Sequence, residues 1–197
     1  MTLKLNIIVA STRPGRQGPA VGDWFEEYAR GHGAFEPVLL DLAKVGLPLY
    51  DEPRHPAMQQ YEHEHTKRWA KSVAAGDAVV LVTPEYNHTM PPSLVNALDF
   101  VYKEWNYKPV GIVSYGGVSG GLRAAQTARE MAATLKMMPI PEGVPIPNFA
   151  QSIEEGRFKS NELIDASAKS MLDELAKWAK ALKPLREPAR TPEPAAA

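Results

Sequence analysis

The sequence predicts a doubly wound α/β fold, a parallel sheet with helices on both faces. Three observations carry this. Short apolar runs alternate along the chain with stretches of helical period. One run, Ala78-Val79-Val80-Leu81-Val82, is apolar at every position, so both of its faces must be covered, as in a central parallel strand. The length of 197 residues, with 44% apolar and 23% charged, suits a single globular domain.

The elements follow in order. Lys4–Ala10 is a first buried strand, and Pro19–Arg30 carries Val21, Phe25, Tyr28 and Ala29 at spacings of three and four. Glu36–Leu42 is a second strand. Residues 43–58 are Pro-rich and lack a period, and read as a long surface connection. Gln59–Ala75 places Tyr61, His65, Trp69 and Val73 four apart. Asp77–Thr83 is the third strand. Pro92–Tyr102 carries Leu94, Ala97, Leu98 and Val101, and Val110–Tyr115 is the fourth strand. Ser119–Lys136 carries Leu122, Ala125, Ala128, Ala132 and Leu135. A less regular strand lies within Met137–Ile146, and Ser160–Leu182 carries Leu163, Ala166, Leu172, Leu175 and Ala179. Each helical stretch has one apolar stripe, as a helix laid on a sheet requires. Residues 1–183 form the expected domain. Residues 184–197 are rich in Pro and Ala and read as a flexible tail.

Composition narrows the function. Twenty-two Lys and Arg against 23 Asp and Glu give a net charge of −1, so no global field points to nucleic acid or to an anionic membrane. The absence of cysteine excludes disulfides, thiolate metal sites and thiol nucleophiles. The opening apolar run is too short for a signal core or a membrane span, so a cytoplasmic location is expected. His63 and His65 would point about 200° apart on a helix, which argues against a shared metal, and His65 is expected to pack with Tyr61 and Trp69. No Gly-x-Ser-x-Gly elbow follows a strand, against a serine hydrolase.

In open parallel sheets, ligands bind beyond the carboxyl ends of the strands, and three loops there are unusual. Ala10-Ser11-Thr12-Arg13-Pro14-Gly15-Arg16-Gln17-Gly18-Pro19 joins a strand to a helix with two hydroxyls, two arginines and two glycines, which suits a phosphate at a helix N-terminus. It is neither a Walker loop nor a dinucleotide turn, and an ordinary turn would read similarly. Thr83-Pro84-Glu85-Tyr86-Asn87-His88-Thr89-Met90-Pro91-Pro92 is stiffened by proline at both ends; it suits a planar heterocycle, or simply packs its tyrosine. Ser114-Tyr115-Gly116-Gly117-Val118-Ser119-Gly120-Gly121-Leu122-Arg123 lets backbone approach a ligand, with Ser119 placed to cap the next helix.

Taken together, these loops resemble those of the NADPH-dependent FMN reductases, a flavodoxin-like family that includes quinone, azo-dye and chromate reductases. Pro84–Pro91 followed by Leu94-Val95-Asn96-Ala97-Leu98-Asp99 looks like the family's signature loop and helix. Tyr115–Gly121 looks like its second flavin loop. The resemblance covers roughly the first three quarters of the chain. It implies a five-stranded parallel sheet of order 2-1-3-4-5. It implies that Ser11 and Arg13 hold the FMN phosphate with backbone from Arg16, Gln17 and Gly18; that Pro84, Glu85, Tyr86 and Asn87 line the flavin ring; and that Ser114, Tyr115, Gly116 and Gly117 form the second flavin loop, with the two glycines along the ring's pyrimidine side. Many relatives carry a serine near position 16 and a glycine at 93, where this chain has Arg16 and Ser93.

The implied activity is NAD(P)H-dependent reduction of a small acceptor (free flavin, quinone, azo dye or metal oxyanion) through bound FMN, by a ping-pong mechanism with no side-chain acid or base. NADPH is favoured over NADH by the family and by the positive charge of Arg13 and Arg16. The amides of Gly116 and Gly117 are expected to stabilise charge on the reduced flavin. Tyr86 and the aperiodic, mobile-looking segment Asn148–Phe158 are expected to border the acceptor. The alternative is a flavodoxin-type electron carrier with a protein partner, which the near-neutral charge disfavours. The family also implies a homodimer or homotetramer, for which Phe100, Tyr102, Trp105 and Tyr107 look like an exposed aromatic patch.

Overall fold

The computed structural model describes residues 2–186. Five parallel strands, β1 (Leu3–Val9), β2 (Phe35–Asp41), β3 (Ala78–Pro84), β4 (Pro109–Tyr115) and β5 (Met138–Ile146), form one sheet in the order 2-1-3-4-5. All seven residues of β3 and of β4 are buried. Helices cover both faces, as those strands demand. On one face lie α1 (Gly18–His32) and the helix Glu162–Leu182. On the other lie α3 (Glu64–Ala75), α4 (Pro92–Asp99) and α5 (Leu122–Thr134), α2 (Leu42–Val45) being a single turn after β2; Glu162–Leu182 is α6. No helix among the described residues is long and apolar enough to cross a membrane.

Several expectations change. Helix α3 starts at Glu64 rather than Gln59, because Pro56–Met58 forms a 3-10 turn that ends with Gln59 in a left-handed conformation at φ 55°. The buried Glu52 carboxylate then accepts from the amides of Glu62 (2.9 Å) and His63 (3.0 Å) and fixes the helix entry. His63 precedes the helix, so helical rotation does not separate it from His65. The two rings stack at 5.1 Å, and His65 meets Asp51 and the edge of Phe100 rather than Tyr61 and Trp69. Residues 43–58 are tied down by Asn96, which accepts from the Tyr50 amide and donates to the Pro48 carbonyl.

Of the aromatic residues expected to form an interface patch, Tyr107 is exposed at 38% and Tyr102 is half-buried. Phe100 and Trp105 are fully buried. The Trp105 indole donates to Leu98 O at 3.1 Å and packs on Trp69. Chain leaving α4 folds under the sheet, so these rings complete the core of one chain. Leu122 and Leu163, assigned to apolar stripes, are exposed at 51% and 77% because each sits in the first turn of its helix, beyond the sheet. Of the expected tail, residues 184–186 belong to a 3-10 turn, Lys183–Arg186, whose Arg186 donates to Asp77. Residues 187–197 lie outside the described residues.

Lys108 is buried just before β4, where its ammonium donates to Val73 O (2.5 Å) and Ala74 O (3.2 Å) at the end of α3. Burial, aided by the charge of Arg186 and opposed by Asp77 and Glu104, pushes its pKa down to about 7. An unfolded lysine titrates near 10.4, so between about pH 7 and 10 the unfolded chain holds a proton that the folded chain lacks, and stability rises with pH there. Urea midpoints should therefore increase from pH 7 to pH 9. Lys108→Met should flatten that slope, whatever it does to absolute stability.

Candidate functional site

The strand order makes β1, β3 and β4 neighbours, and their carboxyl ends are level. Val9 lies opposite Val82, and Pro84 opposite Tyr115. The chain reverses its order between β1 and β3, which is where such sheets open a crevice. The pairing runs one residue into each loop: Ala10 N donates to Val82 O (2.9 Å), Glu85 N to Tyr115 O (3.1 Å) and Gly116 N to Ile146 O (3.3 Å). Between the loops lies a cleft of about 380 Å³. It is lined by Ser11, Arg13, Arg16, Gln17, Pro84, Glu85, Tyr86, Tyr115, Gly116 and Gly117, and by residues 148–151. Of the residues expected at the site, three stand outside this wall. Gly18 lies beneath it, Asn87 is at an exposed turn, and Ser114 is buried with its hydroxyl donating to Gly120 O at 2.8 Å.

The first loop is held from outside the motif. Arg16 makes a bidentate pair with Asp41, both bonds at 2.7 Å, and donates to Ser11 O at 2.9 Å. The Asp41 side chain is 4% exposed. Its bonds outweigh the burial of the guanidinium and raise the Arg16 pKa further. The Arg16 amide is also committed, to Arg13 O. Arg16 thus braces the loop, with its amide turned to Arg13 O and its guanidinium to Asp41 and Ser11. Arg13 is exposed and has no ion pair among the described residues. The amides of Gln17 and Gly18 likewise have no acceptor among them.

Gly18 is required by close approach. A Cβ there would overlap Ser11 Oγ and stand 2.5 Å from Tyr115 Oη. Both of those oxygens are buried and have no hydrogen-bond partner beyond one another. Burial, only partly offset by Ser11 and by the nearby arginines, pushes the Tyr115 phenol up to about 12, so it keeps its proton and can donate. Buried hydroxyls are normally satisfied, and this pair lacks an outside acceptor.

In the second loop, Tyr86 and Thr89 exchange backbone bonds of 2.9 and 3.0 Å across Asn87 (φ 49°) and His88 (φ 66°). Positive φ at both central residues makes this a type I′ turn. The turn fixes Tyr86 against the cleft and carries Asn87 away from it. The Glu85 carboxylate accepts from Arg123 N (3.0 Å), from Ser119 Oγ (3.3 Å) and from the Arg123 guanidinium. Burial of the carboxyl is outweighed by those donors, and its pKa stays below the ordinary range. Ser119 therefore does not cap α5. Gly121 does, at φ 79°, where a Cβ would stand 2.8 Å from Tyr115 N. Ser93, the other departure, donates to Ala10 O at 2.5 Å and fastens α4 to the end of β1.

In the third loop the Gly116 amide is already spent on Ile146 O. Of the two amides expected to face a ligand, only that of Gly117 is left. The fourth wall has regular backbone structure. Residues 148–158 form a 3-10 turn (Phe149–Ser152) and a hairpin of β6 (Ile153–Glu154) with β7 (Arg157–Phe158). Asn148 N and Phe149 N donate to Gly117 O and Gly116 O, and the Phe149 ring packs on Tyr115 at 4.8 Å. Sequence reading missed Asp41 and gave Arg123, the last residue of the third loop, no role. Strand order could have found Asp41, since it lies opposite Val9 in the β1–β2 register. No local signal marks Arg123.

This donor set fits FMN. A guanidinium, two hydroxyls partnered only by one another and a helix N-terminus suit a phosphate monoester. The adjoining cleft, walled by Tyr86, Pro84 and the glycines, suits a flat ring. Comparison with known proteins agrees. The family described as NADPH-dependent FMN reductase matches residues 3–151. A Schizosaccharomyces pombe protein named NAD(P)H-dependent FMN reductase is 41% identical over 143 residues, covering 72% of this chain and 71% of its own. A Pseudomonas putida quinone reductase is 32% identical over 150 residues, with 72% and 78% covered. In structure, a flavoenzyme NAD(P)H:(acceptor) oxidoreductase from Paracoccus denitrificans superposes with a TM-score of 0.74 at 22% identity, covering 92% of this chain and 99% of that one.

Gly18→Ala should destabilise the chain by about 1–3 kcal/mol, the usual cost of overpacking, and weaken FMN binding by displacing Ser11 and Tyr115. Gly31→Ala, in the same helix and with open space around it, should instead stabilise by up to about 1 kcal/mol. Urea denaturation and flavin fluorescence quenching measure both.

Proposed function

The chain belongs to the NADPH-dependent FMN reductase family, and we propose that it passes reducing equivalents from NADPH or NADH to a small acceptor such as a quinone, an azo dye or free flavin. As a family member it is an FMN-dependent, NAD(P)H-using oxidoreductase of flavodoxin-like fold. The observation that carries the reading is the unpartnered pair Ser11 Oγ and Tyr115 Oη beside the N-terminus of α1. Bound in the cleft, FMN supplies the hydride chemistry itself.

The residues have the remaining work. Arg13, the Ser11 hydroxyl and the amides of Gln17 and Gly18 hold the phosphate. The Tyr115 hydroxyl keeps its proton and donates it toward the same group. Pro84 and Tyr86 bound the ring, and Gly117 offers it an amide. Donor and acceptor enter over the same open side, between Tyr86 and Phe149, so they exclude one another and the kinetics are ping-pong. The charge argument for NADPH weakens. Arg13 and Arg16 are the cations among the described residues lining the cleft; the first is taken by the FMN phosphate and the second by Asp41. No cation of the lining is left to read a 2′-phosphate, so both nucleotides serve.

The test is to mix the protein with FMN, NADPH or NADH, and a quinone, and follow nicotinamide absorbance. Turnover with parallel double-reciprocal lines and similar kcat/KM for the two nucleotides is expected. No oxidation without a protein partner would instead indicate an electron carrier. Arg13→Ala should weaken FMN by about 1.5–3 kcal/mol, the worth of a charge-assisted bond, and leave riboflavin nearly unaffected. Equal losses for both flavins would sink the phosphate assignment.

A further inference from the structure

Glu85 is the one carboxylate among the described residues lining the cleft. Its side chain is 9% exposed, so its charge acts on its surroundings through poorly screened medium. Three donors converge on it, all from the third loop and the start of α5: Ser119 Oγ, the Arg123 amide and the Arg123 guanidinium. These do different things. The amide bond exists whatever side chain stands at 123, and the Glu85 amide is separately paired with Tyr115 O. The two loops are therefore joined without the guanidinium. A partner that is itself half exposed, at 49%, adds little to stability. What the guanidinium alone contributes is a positive charge against a carboxylate in the cleft wall.

We propose that Arg123 is a positioning residue of the flavin site that acts through Glu85, cancelling its charge at the cleft wall so that a flavin bound between the two loops gains electrons more readily. The inference rests on the reading that FMN occupies this cleft. Reduction adds negative charge to the ring, and an uncompensated carboxylate in the adjoining wall opposes it. Arg123 removes that opposition from outside the cleft wall, of which it is not a part.

The experiment uses the full chain loaded with FMN and reads the midpoint potential by equilibration with a reference dye, alongside FMN affinity by fluorescence quenching. Arg123→Gln is expected to lower the potential by about 30 mV, equivalent to a tenfold weaker hold on reduced relative to oxidised flavin for a two-electron couple. Arg123→Lys should keep the wild-type potential, and Glu85→Gln with Arg123→Gln should restore it. An unchanged potential in Arg123→Gln, or no recovery in the double variant, overturns the proposal while leaving the cleft reading intact. Failure of the unaltered chain to bind FMN overturns the cleft reading itself, and this proposal with it.

Discussion

A strand with no polar side has one way to be stable in water. β3 is buried at all seven positions, and the helices needed to cover its two faces must each cross from one end of the sheet to the other. Because the strands are all parallel, every strand-to-helix loop comes out at the same end. The functional cleft is a consequence of that covering requirement: once β1 and β4 flank β3, the three loops have no other place to meet. Loop chemistry could vary widely without changing this meeting point, because the sheet register fixes it.

Convergence alone does not make a binding site; the loops must also hold still while leaving donors unspent. Arg16 shows how the two demands are divided. Its bidentate pair with Asp41 anchors the first loop to the end of β2. This ties up three of the guanidinium's five N–H groups, while Arg13, Ser11 and the helix amides make no such pair. Glu85 does the same between the second and third loops. In both cases the bracing charge is paired and largely enclosed, while the groups left over are neutral hydroxyls, amides and one exposed cation. Such a site can take up an anion without first breaking an ion pair.

The periodic part of this structure was legible in the sequence. Apolar runs and stripes depend on neighbours a few residues apart, and the strand order and the three loops followed from them and from the family resemblance. What escaped depends on contacts that no local pattern encodes. Phe100 and Trp105 looked exposed at the end of the expected helix, yet α4 stops at Asp99 and both rings turn into the core. Glu52, 10 residues from the amide it accepts from at Glu62, shortens α3 in a way propensity cannot foresee. The partners of Arg16 and Glu85 lie 25 and 38 residues away. An arginine beside a phosphate loop reads as a ligand until its carboxylate is known.

The walls of the cleft also differ in what holds them. Those formed by Ser11, Pro84, Tyr86 and Gly116 grow out of paired strand ends and a closed turn, and their positions follow from sheet hydrogen bonds. The fourth wall, residues 148–151, is a 3-10 turn joined to the third loop by two amide bonds and one ring contact, with Ala150 and Gln151 exposed. Backbone with few buried contacts opens at lower cost than backbone within a sheet. The part of the site that must hold a cofactor in one geometry is thus built on the sheet. The fourth wall is built on the segment least tied to the sheet.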